Sequence, residues 1–136
     1  MSAATDIKDY LSKHPFRVII TGSRNWLAAA IMRERILRLE LTTSHPNTCI
    51  VHGASPLGGA DWIADDIADE LGIRCERFPP DPRILPRAKA LRMRNARMVK
   101  AGGDLLLAFP LADSRGTWDT YNLARAHGIP VEVVSR

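Results

Sequence analysis

Arginines set beside glycine turns are the residues of this chain with the clearest chemistry. Arg24 follows Gly22-Ser23, and Arg94-Asn95 lies within a basic segment at 83–100. A guanidinium is a planar fork of donors that grips a phosphate at two points, better than lysine would. Glycines recur where apolar runs of strand length stop: Gly22, then Gly53 to Gly58-Gly59, then Gly116-Thr117. A glycine turn that opens into a helix leaves first-turn N–H groups facing outward, backed by the positive end of the helix dipole. Such a geometry suits a phosphate or a ribosyl phosphate.

The stretch 49–71, CIVHGASPLGGADWIADDIADEL, positions the central turn. Its apolar start, Cys49, Ile50 and Val51, is a strand that halts at Gly53. Ala60, Ile63, Ala64, Ile67, Ala68 and Leu71 then recur at the spacing of one buried helix face, and Asp65, Asp66, Asp69 and Glu70 fall outside it. Gly58 and Gly59 can take positive φ and let another molecule approach the backbone. Asp61 could accept hydrogen bonds from ribose hydroxyls or merely cap the helix. Trp26 and Trp62, each after a glycine turn, could stack a base or pack in the core.

The remaining elements follow in order. Residues 1–15 are a lead-in ended by Pro15, and 16–21 is a strand. A helix with Met32, Ile36 and Leu39 inside follows, with Ser23 or Asn25 as its cap. Residues 73–78 form a peripheral strand, and the prolines of 79–86 impose a loop across one edge of the sheet. Helix 87–101 presents Ala88, Leu91, Asn95 and Met98 on one face, with Arg87 and Arg94 alongside, and ends at Gly102-Gly103. The nearly all-apolar 104–109 predicts a strand covered on both faces. A helix at 117–127 and a strand at 130–134 complete the chain. This alternation predicts one α/β domain over 16–136, with a doubly wound, mainly parallel five-stranded sheet and helices on both faces. Ligands of such sheets sit beyond the carboxyl ends of the strands, where the winding reverses, and the glycine turns fall on that edge.

Composition narrows the classes. At 136 residues the chain can bury a core without disulfides or a structural metal. Cys49 and Cys75 both fall in predicted strands, as reduced core residues would, and the histidines do not cluster with them at ligand spacing. No cofactor or metal is called for. No run approaches a membrane span, and the N-terminal segment lacks the apolar core of a secretory signal, which predicts a cytoplasmic protein. The net charge of +4 is concentrated in 83–100, favouring an anionic partner: nucleotide, phosphorylated sugar or nucleic acid.

The segments RVIITGSRNW, VHGASPLGGADWIADDIADELGI, RMRNARM and LLLAFPLADSRGTWDTYNLARAHGI resemble, in this order, the SLOG superfamily. Their combination of GSRxW, HG…GGAD, RNxxM and GT is most similar to its YspA-like branch of small Rossmann-type proteins, common in bacteria and phages. The likeness covers about residues 16–134. It implies a Rossmann-like fold and a nucleotide-type site. Gly22, Ser23 and Arg24 would line one side, and Gly58, Gly59, Ala60 and Asp61 would cradle phosphate or ribose. Arg94 and Asn95 would approach from the basic helix, and Gly116 and Thr117 would offer backbone N–H groups. A homodimer is also implied.

The superfamily includes the lonely-guy phosphoribohydrolases, and the DNA-processing protein A family has a related fold. The lonely-guy enzymes carry arginine-lysine, with methionine four positions after the arginine, and a PGGxGTxxE motif whose glutamate takes part in cleaving an N-glycosidic bond. Arg94 and Met98 match, but Asn95 replaces the lysine and Thr120 stands in the glutamate's place. Asp119, one residue early, is turned ~100° around its helix. The leading reading is therefore a nucleotide-binding sensor, carrier or sequestering module. An N-glycosidic hydrolase or transferase is the second reading, in which Asp61 or Asp119 would stabilise an oxocarbenium-like ribosyl centre and Arg94 the phosphate. Single-stranded DNA binding through 83–100 is the third.

Overall fold

A computed structural model describes residues 6–7, 9–10, 13–43, 47–112 and 114–136, with the backbone alone at 41–43. Strands and helices alternate as β1 (Phe16–Gly22), α1 (Ala29–Thr43), β2 (Thr48–His52), α2 (Ala60–Leu71), β3 (Arg74–Arg77), α3 (Arg87–Lys100), β4 (Leu105–Phe109), α4 (Arg115–Ala126) and β5 (Val131–Val133). The strands form one parallel five-stranded sheet in the order β3-β2-β1-β4-β5. β1 is its centre, with Val18 opposite Ile50 on β2 and Ile20 opposite Leu107 on β4. The chain winds outward from β1 to β3, crosses back over the sheet, and winds outward again from β4 to β5. Crossovers of one hand then put α1 and α2 on one face and α3 and α4 on the other. This is the expected Rossmann-like fold.

Side chains alternate along β1 and so divide the core into two layers. Val18 and Ile20 pack with Trp26, Met32, Ile36, Ala64, Ile67 and Phe109 beneath α1 and α2. Ile19 packs with Val51, Met98, Val99, Leu106 and Ala124 beneath α3 and α4. Trp26 is fully buried, its ring edge-on to Phe109 at 5.3 Å, which settles it as a core aromatic. β3 is an edge strand, as its weak pattern predicts. Both cysteines are free, Cys49 buried and Cys75 partly so. Among the described residues no helix is long and apolar enough to cross a membrane. Much of the 1–15 lead-in lies outside the described residues, as does part of the loop before β2.

Three helix details depart from expectation, each for a local reason. α1 starts only at Ala29, because the Ser23 hydroxyl accepts the Asn25 N–H at 3.0 Å and closes a turn. Neither Ser23 nor Asn25 caps that helix. α4 starts at Arg115, so Gly116 and Thr117 lie inside its first turn rather than ahead of it. The Ser114 hydroxyl takes the Leu111 N–H at 2.7 Å, which tightens the entry. On α3 the buried residues are Ala90, Arg94, Asn95, Met98 and Val99, whereas Ala88 is exposed. A buried arginine turns this helix away from the face its apolar residues suggest.

β1 ends hard against α2. A Cβ placed on Gly22 would lie 2.5 Å from Ala60 Cβ and 2.9 Å from the Phe109 carbonyl oxygen. Gly22→Ala is therefore expected to destabilise the fold by about 1–3 kcal/mol through overpacking, measured by urea denaturation. A midpoint equal to the parent's would refute this tight approach.

Candidate functional site

Beyond the carboxyl ends of β1, β2 and β4 lies a cleft of about 600 Å³, within the range of small-molecule sites. The winding reverses between β1 and β4, so the cleft sits where the crevice of a doubly wound sheet opens. Gly22, Ser23, Arg24, Gly53, Asp61, Arg94, Asn95, Gly116 and Thr117 all line it, brought together from four separate segments. Thr21, Leu57, Leu91, Met98 and Leu111 complete much of the wall.

Arg94 crosses from α3 to the end of β2. Only 8% exposed, it donates from Nε to Asn95 Oδ1 at 2.7 Å and from Nη1 to the Gly53 carbonyl. Gly53 is glycine for this reason: a Cβ there would fall 2.3 Å from Arg94 Nη1. Burial pushes the guanidinium below its usual pKa, and the nearby Asp61 carboxylate opposes that. Nη2 holds no hydrogen bond among the described residues, so donors of a buried cation remain for the cleft.

Asp61 is also only 8% exposed, and its Oδ2 accepts the Ser55 N–H at 3.1 Å. Burial pushes its carboxyl above the ordinary range. His52, Arg94 and the N–H groups of Ser55 and Gly53 pull it back. Asp61 does not cap α2; Gly59 holds the N-cap position, without a side-chain bond. The carboxylate instead ties down loop 53–55 and faces the cleft.

Gly58, Gly59 and Ala60 do not line the cleft, a correction to the expected cradle. Gly59, at φ +82°, lies so close to the preceding loop that a Cβ would meet Arg24 Cα at 2.3 Å. The Ala60 N–H is already donated to the Ser23 carbonyl at 3.1 Å. These residues lock the β1–α1 and β2–α2 loops together.

The start of α4 closes the opposite wall. Thr117 is 3% exposed, and no hydrogen bond holds its hydroxyl among the described residues. Asp119 does not join the site, which corrects its assignment as a catalytic candidate. It is exposed, on a groove shared with Arg92, Asn122, Leu123 and Ala126. The inward position belongs to Thr120, which is 1% exposed and donates to the Gly116 carbonyl at 3.0 Å. Neither Trp26 nor Trp62 reaches the cleft. Trp62 lies edge-on to His52 at 5.7 Å, and its indole N–H donates to the Ser55 carbonyl at 2.6 Å.

Behind the β2–α2 loop stands a network the residue spacing conceals. His52 Nδ1 accepts the Ala54 N–H at 3.0 Å, which assigns the ring proton to Nε2. Nε2 then donates to Asp65 Oδ1 at 2.8 Å, while Arg77 forks onto both Asp65 oxygens at 2.8 and 2.9 Å. The Cys75 thiol adds a contact at 3.3 Å. Arg77, then His52 and Cys75, hold the Asp65 carboxyl far below its ordinary pKa. Burial, then the bond to Asp65, pushes the Cys75 thiol up to about 12. Ligand atoms of His52, Asp65 and Cys75 lie within 4.8 Å of one another. A metal would require the thiolate and compete with Arg77 for the carboxylate. The trio fits a hydrogen-bonded brace better, one that holds Ala54 at φ +49° beside the cleft.

A parallel sheet in this order, with a cleft at its switch point, makes the chain a Rossmann-like α/β protein. The profile of the YspA, cpYpsA-related SLOG family (YAcAr) matches residues 16–83. The gene 61 protein of Mycobacterium phage D29 is 42% identical over 122 residues, covering 85% of this chain and 93% of that protein. The chain belongs to the YspA, cpYpsA-related SLOG family. Membership suggests nucleotide-related ligand binding or a related function.

The Asp65 brace has a pH signature. Its folded pKa lies below the model-peptide value of about 3.9. Its stabilisation is thus complete above that value and is lost as the pH falls through the folded one. Asp65→Asn should lower the melting temperature at pH 7, with the gap to the parent narrowing between pH 4 and pH 2. A gap independent of pH would contradict the brace.

Proposed function

We propose that the cleft binds a nucleotide or nucleotide-derived ligand and that the protein acts as a sensor, carrier or sequestering module. The observation that carries this reading is Arg94, a buried cation with donors left over on the cleft wall. The phosphate would lie against the first turn of α4. There Gly116 and Thr117 supply N–H groups, Thr117 its hydroxyl, and Arg94 its remaining N–H donors. Orphan amides and the helix dipole both favour an anion at that point. Asp61, on the cleft wall, would accept from a ribose hydroxyl. Leu57, Leu91 and Leu111 would flank the nucleoside with aliphatic surface, so phosphate and sugar rather than base stacking would dominate recognition.

A second reading, N-glycosidic cleavage, draws on Asp61: a buried carboxylate on the cleft wall could stabilise a ribosyl cation. With Asp119 outside the cleft and Thr120 tied to a carbonyl, Asp61 would bear that role alone.

Calorimetric titration with nucleoside 5′-monophosphates, followed by chromatography for free base, tests both. Binding without base release is expected. Arg94→Ala should weaken binding by about tenfold or more, as for a lost charged hydrogen bond. Thr117→Val, a near-isosteric change, should weaken it less. Failure of every nucleotide, monophosphate or polyphosphate, to bind would sink the reading. Base release abolished by Asp61→Asn would establish the enzyme instead.

A further inference from the structure

Arginines away from the cleft are mostly neutralised. Arg17, Arg33, Arg35, Arg77 and Arg83 each hold a carboxylate. Four of those on the cleft are not. Arg24 comes from the β1–α1 loop, Arg87 from the first position of α3, Arg115 from the first of α4, and Arg136 from beyond β5. All four are exposed, and among the described residues no ion pair or hydrogen bond of their guanidinium groups is found. With Arg94 they bring five arginines to the lining of one cavity of about 600 Å³, against a single acidic side chain among the described residues, Asp61.

One phosphate monoester carries at most two charges near neutrality. Arg94 and the amides of α4 already match it. Four further cationic residues reach the same cavity from separate segments, a surplus that an occupant with more negative charge would match. Resting on the nucleotide reading above, we propose that the ligand carries two or more phosphoryl groups. The first sits at Arg94 and the start of α4. The outer groups are met by Arg24, Arg87, Arg115 and Arg136. Guanidinium forks suit this task, because adjacent phosphoryl oxygens can be held bidentately without dedicated loops.

Calorimetric titration of AMP, ADP and ATP at one fixed ionic strength tests the proposal. ADP is expected to bind about tenfold tighter than AMP, the gain of one charge-assisted contact. The double variant Arg24→Ala/Arg115→Ala should bring the AMP-to-ADP ratio close to one. Lys89→Ala/Lys100→Ala removes equal charge from outside the cleft and should leave the ratio at the parent value. Equal affinities for AMP and ADP in the parent protein would overturn this inference and leave the nucleotide reading standing. A ratio untouched by the arginine pair, or lowered as much by the lysine pair, would also overturn it. Failure of all three, with the nucleotides of the other bases equally silent, would overturn both.

Discussion

A guanidinium taken out of water must be met by oxygens, and this requirement at Arg94 shapes the site. The residue leaves α3 on one face of the sheet and reaches the end of β2, near the start of α2 on the other face. A carbonyl, an amide oxygen and the field of Asp61 compensate part of its lost hydration. Each compensation constrains a neighbour. Position 53 must lack a Cβ, position 95 must offer an acceptor, and position 61 must hold a carboxylate where burial disfavours its charge. Fork geometry leaves donors unused on the open side. The cavity is therefore a consequence of how the two layers are joined.

The loops around that cavity are held by contacts that exist before any ligand arrives. Gly59 admits the backbone of Arg24, Ala60 donates to Ser23, and Gly22 makes room for Ala60. His52, steadied by Asp65 and through it by Arg77, presents an acceptor to Ala54. Walls locked in this way lose little conformational freedom on binding, so more of the contact energy appears as affinity. They also give strongly acidic pH an indirect route to the site. Protonating Asp65 loosens the histidine that anchors one loop.

Much of this was legible in the residues because it is local. Strand-length apolar runs ending at Gly22 and Gly53, followed by helical periodicity, dictate strand–turn–helix units. Repetition of such units leaves little choice but a parallel sheet. The topology then gathers those turns on one edge, and Arg24, Asp61, Arg94 and Thr117 arrive together. What escaped was everything set by distance in the chain. That Gly59 exists for the sake of Arg24, that Asp65 joins His52 to Arg77, or that Arg94 is buried while Ala88 is not, depends on tertiary contacts. Hydrophobic periodicity treats an arginine as solvent-facing and an aspartate on a helix flank as idle, and both assumptions failed at the site. Helix boundaries missed for a smaller reason: the Ser23 and Ser114 hydroxyls close turns ahead of α1 and α4.

The basic segment illustrates how charge counted along a chain differs from charge placed in space. On paper 83–100 is a stripe suited to a polyanion. In the fold its cations point to different places. Arg83 holds Asp81, Arg97 donates to the Pro79 carbonyl, Arg92 borders the groove toward α4, and Arg87 and Arg94 line the cleft. A strand of nucleic acid is gripped by cations in register along a groove, interleaved with exposed aromatics. Here Arg87 and Arg94 instead line a cavity of bounded volume, joined by Arg24, Arg115 and Arg136 from elsewhere in the chain. Field lines focused into a concave site act over a few ångströms and favour a compact anion. The same number of charges thus argues for a small, densely charged ligand once their positions are known.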